Sequence, residues 1–212
     1  MTEQLVVVLL LLVNLRMFSS SRMDSLIRNV GMQALLLVCL AGFSLGRGTP
    51  WSGWAFLAFT GVVKCIFLPV LMFWALRSVG IRREVEPLVG YRVSLLLGLT
   101  ATGFSVWVSL HVPLPGGVRD PLALSAALIS MITGLFLIVA RRKAITQAIG
   151  YLAMENGIYV LGPALAVHNP LLVEAGILLD VFVGIYVMGV IMLHIRREFD
   201  HIDVDRLSQL KD

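Results

Sequence analysis

Charge is scarce in this chain. Asp, Glu, Lys and Arg together make up 14% of its 212 residues, against roughly 25% in soluble domains. So little polar side chain cannot clothe a water-facing exterior, which argues against a soluble fold. Cysteine is nearly absent: Cys39 and Cys65 each stand alone in an apolar run. No C-x-x-C spacing exists, so an iron–sulfur cluster or a structural zinc site is not expected. The four histidines, His111, His168, His194 and His201, are scattered near segment ends. They read as interfacial or solvated side chains and make no haem pair. No redox cofactor or metal is therefore expected. The net charge of +4 is too modest and too well sorted along the chain for a nucleic-acid partner.

What is abundant is apolar length. Hydrophobic residues make up 58% of the chain and the mean hydropathy is +0.90. A spanning helix needs about 20 mostly apolar residues. Seven segments qualify or come close: Glu3–Phe18, Val30–Leu45, Trp51–Leu76, Val93–Val112, Pro121–Ala140, Ala144–Val167 and Leu171–Ile195. The expected fold is all-α, a multi-pass bundle of about seven transmembrane helices without a folded soluble domain. The amino terminus does not read as a signal peptide, because Glu3 stands where a positive region belongs and no small-residue cleavage site follows Leu5–Val13.

The positive charges support an odd number of spans. Arg16, Arg22 and Arg28, then Arg77, Arg82, Arg83 and Arg92, then Arg141, Arg142 and Lys143, and finally Arg196, Arg197, Arg206 and Lys211 all fall on one side. Only Arg47 and Arg119 fall on the other, with Lys64 inside a segment. By the positive-inside rule the amino terminus is outside and the carboxyl terminus is cytoplasmic. Helix breakers mark the outer loops at Gly46–Pro50, Pro113–Gly117 and His168–Pro170. Trp51, Trp54 and Trp107 lie near outer helix ends and Trp74 near an inner one, as an aromatic belt requires. Long arginine-bearing loops in the front half give way to tight turns after Pro121. The chain accordingly divides into four front helices (1–120), a three-helix antiparallel unit (121–198) and a polar tail (199–212). No internal repeat of the kind that builds many secondary transporters is evident.

Inside these apolar segments stand four ionisable residues: Lys64, Glu155, Glu174 and Asp180. A charge at the bilayer centre costs roughly 2.5 to 3.5 kcal/mol on insertion scales, so each must face protein or water. Glu155 lies about 17 Å along its segment at 1.5 Å per residue. Gln147, Tyr151, Glu155 and Tyr159 recur every four residues and share one helix face, a candidate hydrated path. Gly150, Ala153 and Gly157 allow close helix approach, and Pro163 removes a backbone donor. Asp180 lies about 14 Å into the last segment. Lys64 is too deep for its stem to reach either interface and must meet a carboxylate on another helix or have a depressed pKa. Glu174 falls in a first turn, where the helix dipole favours an acid in any case. Lys64, Glu155 and Asp180 are expected at one depth, which suggests an in-plane ion path.

The run Gly150-Tyr151-Leu152-Ala153-Met154-Glu155-Asn156-Gly157 resembles the membrane component E of hydrogenase-4-type complexes. So do Leu172–Asp180 followed by Val181-Phe182, the stretch from Val63-Lys64 to Pro69, and the tail Asp203–Lys211. The last three segments are also similar to the three-helix K-type (4L) subunit of respiratory complex I. In that likeness Glu155 matches the first of two intramembrane glutamates. Asp180 matches the second but is one methylene shorter, and Glu174 has no clear counterpart. The resemblance implies a non-catalytic subunit of a complex I-related, energy-converting hydrogenase in a bacterial or archaeal cytoplasmic (inner) membrane. Its partners would be antiporter-like and other membrane subunits, soluble hydrogenase-like redox subunits on the cytoplasmic side, and lipid. Glu155, Asp180, Lys64 and Glu174 would serve proton or Na⁺ relay. Two other classes fit the buried charges: a stand-alone small-ion transporter and a purely structural assembly subunit.

Overall fold

The computed structural model describes residues 2–44, 51–78, 88–111 and 121–164, together with Tyr186 and Gly189. The helices are α1 (Thr2–Ser19), α2 (Met23–Ser44), α3 (Trp51–Val62), α4 (Leu68–Ser78), α5 (Tyr91–His111), α6 (Pro121–Ala140) and α7 (Ala144–Ala164). A π-helical segment, Val63–Phe67, joins α3 to α4, so these two form one long rod. No strand occurs among the described residues. Among the described residues four stretches are long and apolar enough to cross a membrane: Met23–Phe43, Trp51–Arg77, Tyr91–His111 and Pro121–Ala140.

The first six expected segments are helical wherever they are described, with one boundary corrected. The second helix begins at Met23 and not at Val30. Arg22, whose carbonyl accepts from the N–H groups of Ser25 and Leu26, starts it, and Asp24 in the first turn suits the helix dipole. Of the expected seventh segment only Tyr186 and Gly189 are described, and both are helical; Glu174 and Asp180 lie outside the described residues. The helix carrying Glu155 runs on past Pro163 to Ala164.

Helices α6 and α7 share the most extensive interface. α1 packs on α2, α5 and α6, while α2 packs on α7 and along the α3–α4 rod. Lipid is as apolar as leucine, so apolar burial alone does not hold such helices together; close packing and internal hydrogen bonds do. The α6–α7 contact is made backbone to backbone at small residues. A Cβ placed on Gly134 would lie 2.4 Å from both the Gly150 carbonyl oxygen and the Met154 nitrogen, and one on Gly157 would lie 2.7 Å from the Met131 nitrogen. On α5 the buried residues are Ser94, Gly98, Ser105 and Ser109, which recur near helical spacing on one face. Phe18 sits against Gly98. The outward side chains Leu96, Leu99, Phe104 and Leu110 are exposed, as a lipid-facing surface requires.

Two apolar clusters stack along the bundle. One holds Met17, Met23, Ile27, Met72, Leu137 and Ile149. The other holds Val7, Leu10, Leu37, Ala126 and Val160. Gln33 on α2, Ser130 on α6 and Asn156 on α7 fall between the two clusters along their helices, and Asn14 on α1 adjoins Val13 at the edge of the first; all four are buried.

Candidate functional site: a buried ion pair between two helices

Lys64 lies in the π-helical segment, where the Leu68 N–H reaches five residues back to the Val63 carbonyl. The cause is legible in the chain. Pro69 has no N–H, so the Cys65 carbonyl lacks the donor that a regular α-helix would supply, and the ladder slips by one residue. Single π turns of this kind recur at functional sites. Gly31 on α2 makes room for the proline ring: a Cβ there would come 3.2 Å from Pro69 Cγ. The π turn therefore rests against the helix that also packs on α7.

Lys64 reaches from this turn to the Glu155 carboxylate on α7. Its Nζ donates to Glu155 Oε1, and the two form an ion pair. Lys64 is 6% exposed and Glu155 2%. The Lys64 ammonium also stands 5.5 Å from the centre of the Tyr159 ring, one turn beyond Glu155 on the same face, a cation–π distance. Of the expected polar face, Glu155 and Tyr159 thus converge on Lys64. Gln147 does not: its amide donates to the Arg141 carbonyl at 3.3 Å and closes the α6–α7 turn. Tyr151 packs against the first apolar cluster. Asp180 and Glu174 fall outside the described residues.

Reasoning from charge alone missed a polar layer beside this pair. Asn156 Nδ2 donates to Gln33 Oε1 at 3.1 Å, and Gln33 Nε2 donates to Asn14 Oδ1 at 3.1 Å. Asn14 Nδ2 donates to Ser130 Oγ at 2.9 Å and to the Leu10 carbonyl at 2.8 Å. Ser130 Oγ in turn donates to the Ala126 carbonyl at 2.7 Å. The signal was available as amides standing within apolar segments, such as Asn14 after Leu11-Leu12-Val13. Also missed was Arg141, 1% exposed despite following directly on α6. Its Nη2 donates to the Phe18 carbonyl at 3.1 Å, and the guanidinium carbon lies 5.5 Å from the Tyr91 ring centre and 5.6 Å from that of Phe136. Burial pushes its pKa below the ordinary arginine value, and Tyr91 acts the other way.

Chemically, a buried ammonium–carboxylate pair can hold a proton on either partner without changing net charge. Moving one proton from Lys64 to Glu155 exchanges an ion pair for two neutral groups, so the desolvation of the charges and their attraction vanish together. Among the described residues no group of three or more His, Cys, Asp or Glu is placed to hold a metal ion.

Apolar helices packed through glycine and serine around an internal ion pair define a helical membrane protein. The chain is similar to an uncharacterized protein of Mycobacterium tuberculosis, 34% identical over 180 residues that cover 82% of this chain and 80% of the relative. It is also similar to hydrogenase-4 component E of Escherichia coli K12 and of Shigella flexneri, each 32% identical over 161 residues, or 76% of this chain and 72% of the relative. The chain belongs to the hydrogenase-4 component E family. No family model and no solved structure matches it.

Proposed function

We propose that this chain is a non-catalytic membrane subunit of a complex I-related, energy-converting hydrogenase-type complex, and that it contributes buried carboxylates to proton or Na⁺ translocation. The observation that carries the reading is the Lys64–Glu155 pair, buried between the apolar, membrane-length α3–α4 rod and α7. Such charges are costly in a bilayer and mark ion pathways. In this reading Glu155 is the central relay, Lys64 biases where its proton rests, and Tyr159 borders the site. Asp180 is the second carboxylate and Glu174 a further relay position. The fold is seven spans with the amino terminus outside, and residues 121–198 form the K-type-like unit next to the front helices.

The redox chemistry belongs to soluble hydrogenase-like partners on the cytoplasmic side, and antiporter-like subunits lie alongside in the cell membrane. Coupling is a two-state bias: when neighbouring subunits move, the hydration around Glu155 changes and with it the proton's preferred seat. The test compares proton pumping by the intact complex in vesicles, wild type against Glu155→Gln, at matched redox turnover and matched assembly. Loss of pumping with assembly intact is expected. Normal pumping by Glu155→Gln would return the residue to a structural role and defeat the relay.

A further inference from the structure

Glu155 and Asn156 are consecutive on α7 and so project about 100° apart around the helix. Glu155 is tied to Lys64 on the π turn. Asn156 is tied to Gln33 on α2, and from there the chain of hydrogen bonds runs through Asn14 on α1 to Ser130 on α6. On α7's remaining flank, Gly150 and Gly157 touch the backbone of α6. One turn of α7 is thereby held in rotation as well as in translation.

We propose that Asn156, Gln33, Asn14 and Ser130 are positioning residues for Glu155, a buried amide brace that keeps its carboxylate turned toward Lys64. Three properties suit the brace to that role. The polar atoms it uses lie among residues of 0 to 3% exposure, where each hydrogen bond resists exchange with water. Every link donates onward to the next, and the chain ends on the backbone carbonyls of Leu10 and Ala126, so it is anchored to the main chain. Carboxamides and a serine hydroxyl do not titrate in the physiological range, so the brace fixes geometry without competing for the proton. On α2, α6 and α7 it also lies between the residues of the two apolar clusters. Its consequence for transport rests on the relay reading above.

The test uses the assembled complex in membrane vesicles. Infrared difference spectra identify the Glu155 carboxyl band as the one that disappears in Glu155→Gln. Gln33→Leu is expected to shift that band and to lower pumping per electron transferred by roughly fivefold or more, the factor that about 1 kcal/mol represents. Ser130→Ala leaves Asn14 bonded to Leu10 and is expected to shift the band in the same direction by less, with Ser130→Thr restoring the wild-type position. An unshifted band in Gln33→Leu overturns the proposal. If that variant does not assemble, identical bands in Ser130→Ala and Ser130→Thr overturn it. Should Glu155→Gln pump normally, the relay fails, yet the band still reports whether the amides position Glu155.

Discussion

Lys64 and Glu155, 91 residues apart in the chain, form an ion pair from which water is all but excluded. Such a pair is worth little against an apolar replacement of both partners, but removing one partner leaves a lone charge in a medium that cannot solvate it. Lys64→Met and Glu155→Leu alone are each expected to cost about 3 to 5 kcal/mol, seen as loss of folded protein in detergent or bilayer denaturation. The double variant is expected to recover most of that loss. Additive single costs in this cycle would show that the two residues are not energetically coupled.

The α6–α7 interface predicts a sharp contrast between glycines. Alanine at Gly134 would place its Cβ 2.4 Å from backbone atoms of α7, where no side chain can rotate away, so the helices must separate. That overpacking is expected to cost about 3 kcal/mol or more and to reduce the yield of folded protein. Gly103, on α5, stands in open space, with nothing within 4 Å of where a Cβ would lie. Alanine there is expected to be neutral or to stabilise by up to about 1 kcal/mol through helix propensity.

Arg141 predicts that two cations are not equivalent. Its planar head stands near both the Tyr91 and Phe136 rings and donates to the Phe18 carbonyl, joining the end of α1 to the α6–α7 turn. Lysine keeps the charge but has neither the flat face nor the forked donors. Arg141→Lys is therefore expected to lose about 1 to 2 kcal/mol in thermal or denaturant stability. A wild-type midpoint for this variant would reduce the guanidinium to a bystander.

Much of this architecture can be read from the residues. Apolar length located the six described rods, and the cost of burying Glu155 and Lys64 singled out the two residues that the fold brings together. Three things were hidden. The partner of Lys64 depends on which helices are neighbours, a long-range property that no local pattern encodes. The face Gln147–Tyr151–Glu155–Tyr159 shares a helix stripe, yet its members meet different neighbours, so only Glu155 and Tyr159 reach the lysine. The amides Asn14, Gln33 and Asn156 are uncharged, and a search for the costliest buried groups passes over them although together they bond four helices.

Pro69 supplies the last prediction, because it separates the lysine's position from its chemistry. Without an N–H at residue 69 the ladder slips into the π turn that carries Lys64, and the extra residue in that turn rotates what precedes it by about 100° relative to a regular helix. Pro69→Ala restores the missing donor and also relieves the tight approach to Gly31, so the rod can close as an uninterrupted α-helix. The helix itself is then expected to be at least as stable, while Lys64 turns away from Glu155. The measurement is the Lys64–Glu155 coupling energy, obtained from the same double-mutant cycle in the Pro69→Ala background. A coupling that falls well below the wild-type value means that the proline sets the lysine's direction. An unchanged coupling means that packing against α2 holds the π turn without it.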